Sequence, residues 1–122
     1  MAEQKLNVIN KSVDLIEYTF AMTSNKKRYT PKHRALIEKM QNISMEIFDF
    51  LIEANAEDIN VFKNERLRNQ TKAITYCDKL SKFVELSLKL NLIGSDIVEN
   101  WQTLICDVKY MTIKWREVDK KR

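Results

Sequence analysis

Apolar residues recur at steps of three and four along most of the chain, a spacing that lines one face of an α-helix. The pattern is strongest over residues 71–90, where two apolar sets lie side by side. The first set is Ile74, Cys77, Leu80, Val84 and Leu88, and the second is Tyr76, Phe83, Leu86 and Leu90. A helix with so wide an apolar surface needs more than one neighbour. We therefore predict that it is the central helix of a bundle, with surface left for contact with another subunit.

The same periodicity predicts four helices, over residues 4–22, 31–54, 59–90 and 96–119. The seams of the other three are Leu6, Ile9, Val13, Ile16 and Phe20 in helix 1, Leu36, Met40, Ile43, Ile47, Phe50 and Ala54 in helix 2, and Ile97, Trp101, Leu104, Val108, Met111 and Trp115 in helix 4. Helices joined by such short connections pack as antiparallel neighbours. We expect an all-α, antiparallel up-down four-helix bundle in which residues 1–122 form a single domain.

The residues between the helices are typical of turns and helix starts. Thr30 precedes Pro31, so its hydroxyl is expected to cap helix 2 while the proline occupies the first turn. Gly94 is expected to supply a flexible backbone before helix 4, with Ser95 as its N-cap.

Composition supports the helical fold and narrows the cellular setting. A chain of 122 residues can form one domain with a real core, and one Gly and one Pro argue against a hairpin-rich β fold. The N-terminus lacks the apolar stretch of a signal peptide, and no segment approaches the roughly 18 apolar residues of a membrane span. We expect a cytoplasmic protein with no membrane partner.

Positive charge is concentrated where helix 2 begins. The net charge is +4, and no Asp or Glu occurs between Glu17 and Glu38. The cations in that interval, which we call the corner cluster, are Lys26, Lys27, Arg28, Lys32 and Arg34. Two interpretations stay open. The segment is an ordinary solvated loop, or it contacts phosphates or a protein partner, because the free N–H groups at a helix start also favour anions.

A second group of cations, the helix 3 cluster, lies in the first turns of the third predicted helix. It consists of Lys63, Arg66, Arg68 and Lys72. An up-down bundle places it at the opposite end from the corner cluster, beside the basic C-terminal tail and the acidic end of helix 2. A binding patch and a set of intramolecular salt bridges are both compatible with this arrangement. Trp115, between Lys114 and Arg116, is the only candidate for base stacking, although a core position is the simpler expectation for it.

The sequence contains no catalytic motif. A Gly-rich phosphate loop, a nucleophile elbow and an HExxH motif are all missing, and the single histidine, His33, cannot supply a di-iron site. Cys77 and Cys106 fall on predicted apolar helix faces without metal-ligand spacing, so both are expected to be buried free cysteines that pack as small hydrophobic residues. A disulfide between them is the alternative, although it would be unusual in a reducing compartment. We predict a non-enzymatic protein with no catalytic residue, no cofactor and no metal.

The third and fourth helices resemble a family of small bacterial four-helix-bundle proteins. The family includes the "ribosomal protein" encoded in ribosomal RNA intervening sequences and the accessory variability determinant of diversity-generating retroelements. The residues that carry the resemblance are Arg68, Gln70, Ala73, Ile74, Cys77, Leu80, Leu86, Leu90, Ile93 and Trp115. Residues 29–34 also resemble the basic loop that enters helix 2 of the accessory protein.

The resemblance implies a bundle that assembles into a ring-shaped homo-oligomer, a pentamer in the accessory proteins. It further implies binding to the retroelement's reverse transcriptase and to its template RNA, or a DNA/RNA hybrid, in support of mutagenic retrohoming. The expected contact residues are the corner cluster and the helix 3 cluster. The alternative is an intervening-sequence-type bundle with an unknown partner and a structural or protein-interaction role.

Overall fold

The computed structural model describes residues 2–122, with side chains from residue 7 onward. The helices are α1 (Ala2–Thr23), α2 (Arg34–Ala56), α3 (Lys63–Lys89) and α4 (Ser95–Lys120), and a 3₁₀ turn, Pro31–His33, precedes α2. No strand occurs within residues 2–122. The prediction of an all-α fold with four helices is therefore confirmed. The Leu6 side chain, predicted for the helix 1 seam, lies outside the described residues.

Each helix packs against two others, in the cyclic order α1, α2, α3, α4 and back to α1. Side-chain contacts run in opposite directions along neighbouring helices, which makes the packing antiparallel. The contacts that show this are Lys11–Asp107 and Thr19–Trp101 between α1 and α4, Met40–Ser87 and Phe50–Tyr76 between α2 and α3, and Ser81–Gln102 and Arg66–Asp119 between α3 and α4. The predicted up-down bundle is thus present in the chain.

The two ends of the bundle differ in their connections. The corner end carries the loop between α1 and α2 and the turn between α3 and α4, whereas the tail end carries residues 57–62 and the C-terminus. At the tail end, Asp58 Oδ1 accepts a hydrogen bond from Asn60 N–H at 2.8 Å. This local turn delays the start of α3 to Lys63, so the predicted start at residue 59 is wrong.

The predicted core face is largely correct in α2, α3 and α4 and wrong in α1. Along α1 the fully buried positions in the described part are Val8, Ser12, Leu15, Thr19 and Thr23. Val13, placed on the predicted seam, is instead 39% exposed. These small hydroxyl side chains tolerate burial because each has a hydrogen-bond partner. Ser12 and Thr23 donate to backbone carbonyls of α1, and Thr19 accepts from the Trp101 indole N–H at 3.1 Å.

The wide apolar surface of α3 is only partly used within the chain. Ala73, Cys77, Leu80 and Val84 are buried in the core, while the leucines near the C-terminal end of the helix stay exposed. Those leucines are Leu86, Leu88 and Leu90. Trp101 and Trp115 of α4 are fully buried, which confirms the core position expected for both. Within residues 7–122 the packing of the chain leaves 38% to 48% of each of these leucines exposed.

The turn after α3 is stabilised by an asparagine rather than by the glycine. Asn91 has φ 62°, and Leu92 N–H donates to the Ser87 carbonyl at 3.0 Å, which together form a Schellman motif. Gly94, not Ser95, is the N-cap residue of α4. Thr30 does precede the 3₁₀ turn, but its hydroxyl contacts His33 Nδ1 at 3.1 Å and makes no capping bond to the backbone.

Over the described residues, none of the helices combines the length and apolar character that a membrane crossing requires.

Candidate nucleic-acid interface

The loop that presents the corner cluster is tied to the bundle at two points. Asn25 folds the chain back, since its Oδ1 accepts from Lys27 N–H at 3.0 Å and its carbonyl accepts from Tyr29 N–H at 2.9 Å. The Tyr29 side chain then enters the hydrophobic core, where it is only 2% exposed. An ordered turn and a buried aromatic anchor together fix the backbone that bears the neighbouring cations.

All five cations of the corner cluster are exposed to solvent. Arg34 pairs with Glu38 at 3.1 Å, and both side chains of that pair are solvated. Lys26, Lys27, Arg28 and Lys32 make no ion pair with any side chain of residues 7–122. The structure therefore keeps most of this charge available to a partner, and the prediction that these residues bind one stays a prediction.

An open cleft of about 810 Å³ lies beside the corner cluster, between the end of α1 and the start of α2. Lys26 and Arg34 contribute positive charge to its lining, and Ile37 contributes an apolar surface. No carboxylate lines the cleft among the described residues. The sequence showed the cations of this region but not the concave surface, because its lining comes from the end of α1, the loop and the start of α2 together.

The helix 3 cluster is divided by the fold, and its Arg66 requires a correction. Arg66 is 2% exposed, and its Nε donates to Asp119 Oδ2 at 2.7 Å. Gln70 Nε2 donates to the same carboxylate oxygen at 2.8 Å. Arg66 was predicted to contact phosphates or a partner, but a guanidinium enclosed and paired in this way cannot reach either one.

Two further contacts complete the environment of Arg66. Its Nη1 donates to the Glu57 carbonyl at 3.0 Å, and its Cζ lies 5.2 Å from the centroid of the Trp115 ring. The indole is fully buried beneath it, so Trp115 is not a stacking platform for a base. For Arg66 the alternative of intramolecular ion pairing is the correct one. We call Arg66, Gln70, Trp115 and Asp119 the buried polar group.

The other members of the helix 3 cluster remain nearer the surface. Lys63 Nζ donates to the Lys120 carbonyl at 3.1 Å and so ties the start of α3 to the end of α4. Arg68 and Lys72 are exposed, with the Lys72 Nζ 5.7 Å from the Phe50 ring centroid. These two cations do not form a single patch with Arg66, which weakens the helix 3 cluster as a binding surface.

A sequence signal for the buried polar group did exist. Positions 66 and 70 continue the buried face of α3 at helical spacing, and position 119 does the same for α4. Opposite charges on two buried faces that meet at one bundle end indicate an internal ion pair. The predicted seams did not include this pair because they consist of apolar residues only.

The two cysteines differ in their surroundings. Cys77 is buried, and burial, with a smaller effect of the Asp78 charge, raises the pKa of its thiol to about 12. Cys106 is exposed, so the prediction that it is buried is wrong. Among the described side chains, no group of three or more His, Cys, Asp or Glu is arranged to hold a metal ion.

Comparison with known proteins gives a structural match but no sequence family. No protein-family model matches the chain, and no curated protein matches it. A solved structure from Bacteroides thetaiotaomicron VPI-5482, described as a protein of unknown function from the S23 ribosomal protein family, matches with a TM-score of 0.77. The match covers 93% of this chain and 98% of that chain at 12% sequence identity. At this identity the match shows a shared fold, and the resemblance to retroelement accessory proteins stays a prediction.

Proposed function

We propose that the protein is a non-enzymatic accessory protein of a diversity-generating retroelement. In this role it binds the reverse transcriptase and the template RNA, or a DNA/RNA hybrid, and supports mutagenic retrohoming. The observation that carries the proposal is the corner cluster: five exposed cations on an anchored loop, of which only Arg34 is ion-paired within residues 7–122. Such a surface attracts phosphates without reading their sequence.

The distribution of charge supports RNA contact at the corner end rather than at the tail end. The corner cluster has no acidic side chain within its segment of the sequence, since Glu17 and Glu38 bound it on either side. At the tail end Asp119 neutralises Arg66, and Lys120 pairs with Glu117 at 3.7 Å. The corner cluster is therefore a concentrated and largely unpaired group of cations, which favours contact with a polyanion.

Exposed leucines support the homo-oligomeric part of the proposal. Leu86, Leu88 and Leu90 lie on the last turns of α3, close to the corner end. Burial of these side chains against other copies would contribute to a ring, for which we propose five subunits as in the accessory proteins. A ring would bring several copies of the corner cluster to one face and strengthen RNA binding through multivalency.

The test compares two charge reversals that change the net charge equally. K27E/K32E alters the corner cluster outside the cleft, and K114E/K121E alters exposed lysines near the tail end. Binding of a labelled single-stranded RNA is measured by fluorescence anisotropy between 50 and 200 mM salt. We expect K27E/K32E to weaken binding strongly and to lower the salt dependence, since each phosphate contact contributes about 0.7 to the slope. K114E/K121E should have a much smaller effect.

Both variants should retain the helical circular dichroism spectrum and a free energy of unfolding within about 0.5 kcal/mol of the original protein. Equal weakening by the two pairs would mean that net charge, not the corner cluster, controls binding. Failure of the unaltered protein to bind either RNA or the reverse transcriptase would overturn the proposal.

The second candidate is an intervening-sequence-type bundle whose partner is unknown. The observation that favours it is the fold shared with a protein of unknown function from the S23 ribosomal protein family. This candidate predicts self-assembly without measurable RNA affinity. Analytical ultracentrifugation combined with the RNA titration separates the two functions.

A further inference from the structure

The cleft at the corner end has hydrogen-bonding groups whose orientation the structure fixes. Thr23 Oγ1 donates to the Thr19 carbonyl at 2.7 Å, so its only hydrogen is used there. Gln41 Nε2 lies 2.9 Å from the same hydroxyl oxygen and must therefore be the donor in that contact. This arrangement orients the side-chain amide of Gln41, which lines the cleft. Its carbonyl oxygen has no hydrogen-bond donor among residues 7–122 and can accept one from a ligand.

The remaining lining is divided between charge and apolar surface. Lys26 and Arg34 bring two cations to the cleft. Arg34 Nε donates to Glu38 at 3.1 Å, and its two Nη groups have no partner among residues 7–122 and can donate to a phosphate. Ile37 and Pro31 supply apolar surface, and the hydroxyl of Thr30 adds a polar group. The volume of about 810 Å³ lies within the range of about 300–1,000 Å³ that is typical of ligand sites.

We propose that this cleft binds one nucleotide unit, with its phosphate at Lys26 and Arg34, its base against Ile37, and a base N–H donating to the Gln41 carbonyl oxygen. A ligand that fits this lining combines an anionic group with an apolar surface and a hydrogen-bond donor, and a nucleotide has all three. A bare phosphate would leave the apolar surface and Gln41 unused. An acidic peptide carries the same charge, and the template RNA of the proposed function makes a nucleotide the favoured occupant.

The inference rests on the proposed function when the nucleotide belongs to the template RNA, because the cleft then captures an unpaired base beside the phosphate-binding corner cluster. A free nucleotide has the same chemistry and is the other source. Single-stranded RNA exposes its bases for recognition in pockets of this kind, whereas a duplex does not.

The experiment separates the cleft from the rest of the corner cluster with two charge-neutralising pairs. K26Q/R34Q removes the cations that line the cleft, and K27Q/K32Q removes the same amount of charge outside it. The probes are adenosine 5′-monophosphate and ribose 5-phosphate, titrated by NMR, and a labelled single-stranded RNA followed by anisotropy. We expect K26Q/R34Q to weaken nucleotide binding about tenfold or more, since hydrogen bonds to charged groups are lost. K27Q/K32Q should leave nucleotide binding unchanged while weakening RNA binding.

A third variant, Gln41→Ala, tests the contact to the base. It should weaken binding of adenosine 5′-monophosphate severalfold and leave the weaker binding of ribose 5-phosphate unchanged, since only the former carries a base. Circular dichroism confirms that each variant folds. A purely electrostatic surface would respond equally to the two neutralised pairs and would not distinguish the two small probes.

The outcomes separate this inference from the proposed function. RNA binding that both neutralised pairs weaken equally, with no detectable nucleotide binding, overturns the cleft and leaves the proposed function standing. Nucleotide binding at the cleft in a protein that binds no RNA supports the cleft with a free nucleotide as its ligand and overturns the proposed function. Binding of both, with the K26Q/R34Q defect confined to unpaired RNA, supports an RNA nucleotide as the occupant.

Discussion

The two ends of the bundle carry cations of similar number in the sequence but use them in opposite ways. At the corner end Lys26, Lys27, Arg28 and Lys32 extend into solvent without ion pairs to residues 7–122. At the tail end Arg66 is enclosed and satisfied by Asp119. The corner end therefore leaves its cations exposed, whereas at the tail end Arg66 is used inside the core while Arg68 and Lys72 stay exposed. Local density of Lys and Arg does not distinguish these roles.

The difference arises from where each cation lies relative to a helix face. Arg66 occupies a position on the buried side of α3, so helix geometry directs it inward and a partner is required there. The corner cluster lies mostly in the loop before α2, where the chain is anchored by Tyr29 and the flanking side chains are directed outward. The following substitutions test this contrast, beginning with the largest expected effect.

Arg66→Ala should destabilise the protein by about 3–5 kcal/mol, because it leaves Asp119 buried without its ion-pair partner. Arg68→Ala is the matched control, since Arg68 is exposed two positions away on the same helix, and it should change stability by less than about 0.5 kcal/mol. Urea unfolding followed by circular dichroism measures both. Similar stabilities for the two variants would contradict the assignment of Arg66 to the buried polar group.

Replacing both residues of the Arg66–Asp119 ion pair gives a second test of the buried charge at the tail end. R66M/D119L replaces both charges with apolar side chains and should recover much of the stability that Arg66→Ala loses, because no uncompensated buried charge remains. A double variant that is no more stable than Arg66→Ala would show that the lost packing around Trp115 dominates.

At the corner end the largest effect is expected from Tyr29, which anchors the loop. Tyr29→Ala should cost about 3 kcal/mol through the loss of a buried aromatic side chain. It should also weaken RNA binding, because the cations would no longer be held in one arrangement. The same unfolding measurement and the anisotropy titration test the two effects.

Tyr29→Phe removes the hydroxyl and keeps the ring, so it distinguishes the contributions of the two groups. The Tyr29 hydroxyl is buried and makes no hydrogen bond of ordinary geometry with residues 7–122, and burial raises its pKa despite the opposing effects of Ser87 and Arg28. The phenylalanine variant should therefore retain full stability and RNA affinity. A large loss in this variant would show that the hydroxyl, not the ring, secures the loop.

Cys77 lies in the middle of α3, between the two ends of the bundle, and it should make the free energy of unfolding depend on pH. Its pKa is raised to about 12 by burial from an ordinary value of 9.0, so the unfolded chain releases this proton first as the pH rises. The free energy of unfolding should fall between pH 9 and 12, by up to about 1.4 kcal/mol per pH unit from this group. Stability below pH 9 should be independent of it.

Cys77→Ala isolates that contribution in urea titrations at pH 8 and pH 10.5. The stability difference between the original protein and the variant should narrow at the higher pH, because only the former loses the thiol effect. Cys106 serves as an internal control: at pH 8 in native conditions iodoacetamide should modify Cys106 and leave Cys77 intact. Equal labelling of both cysteines would contradict the burial of Cys77.

Much of the fold could be predicted from the periodicity of apolar residues alone. Helix number, connection order and the buried tryptophans of α4 follow from seams that contain Ile97, Trp101 and Trp115. In α1 the same method selected Val13 and missed Thr19, because a threonine whose hydroxyl accepts a hydrogen bond from the Trp101 indole can be buried at little cost. Hydropathy counts a hydroxyl as polar whether or not a partner in the core satisfies it.

The candidate site was harder to predict than the fold. Exposure of the corner cluster is expected for a loop with no acidic residue, but the cleft beside it is lined from two helices and the loop between them, and it includes Gln41, which no motif identifies. Arg66 was assigned to the wrong environment since its partner, Asp119, is distant in the sequence. Burial of a charge is decided jointly by two helices, and one helix read alone does not reveal it.

A single side-chain hydrogen bond between α1 and α4 helps to fix the axial position of α1 relative to α4. Trp101 Nε1 donates to Thr19 Oγ1 at 3.1 Å inside the core. Sliding α1 along α4 by one helical turn, about 5.4 Å, in the direction that brings Leu15 to the indole would leave the indole N–H buried without an acceptor. This hydrogen bond therefore favours one axial register of α1 against α4 among those that the apolar faces alone would allow. The register also places the loop after α1 beside the start of α4.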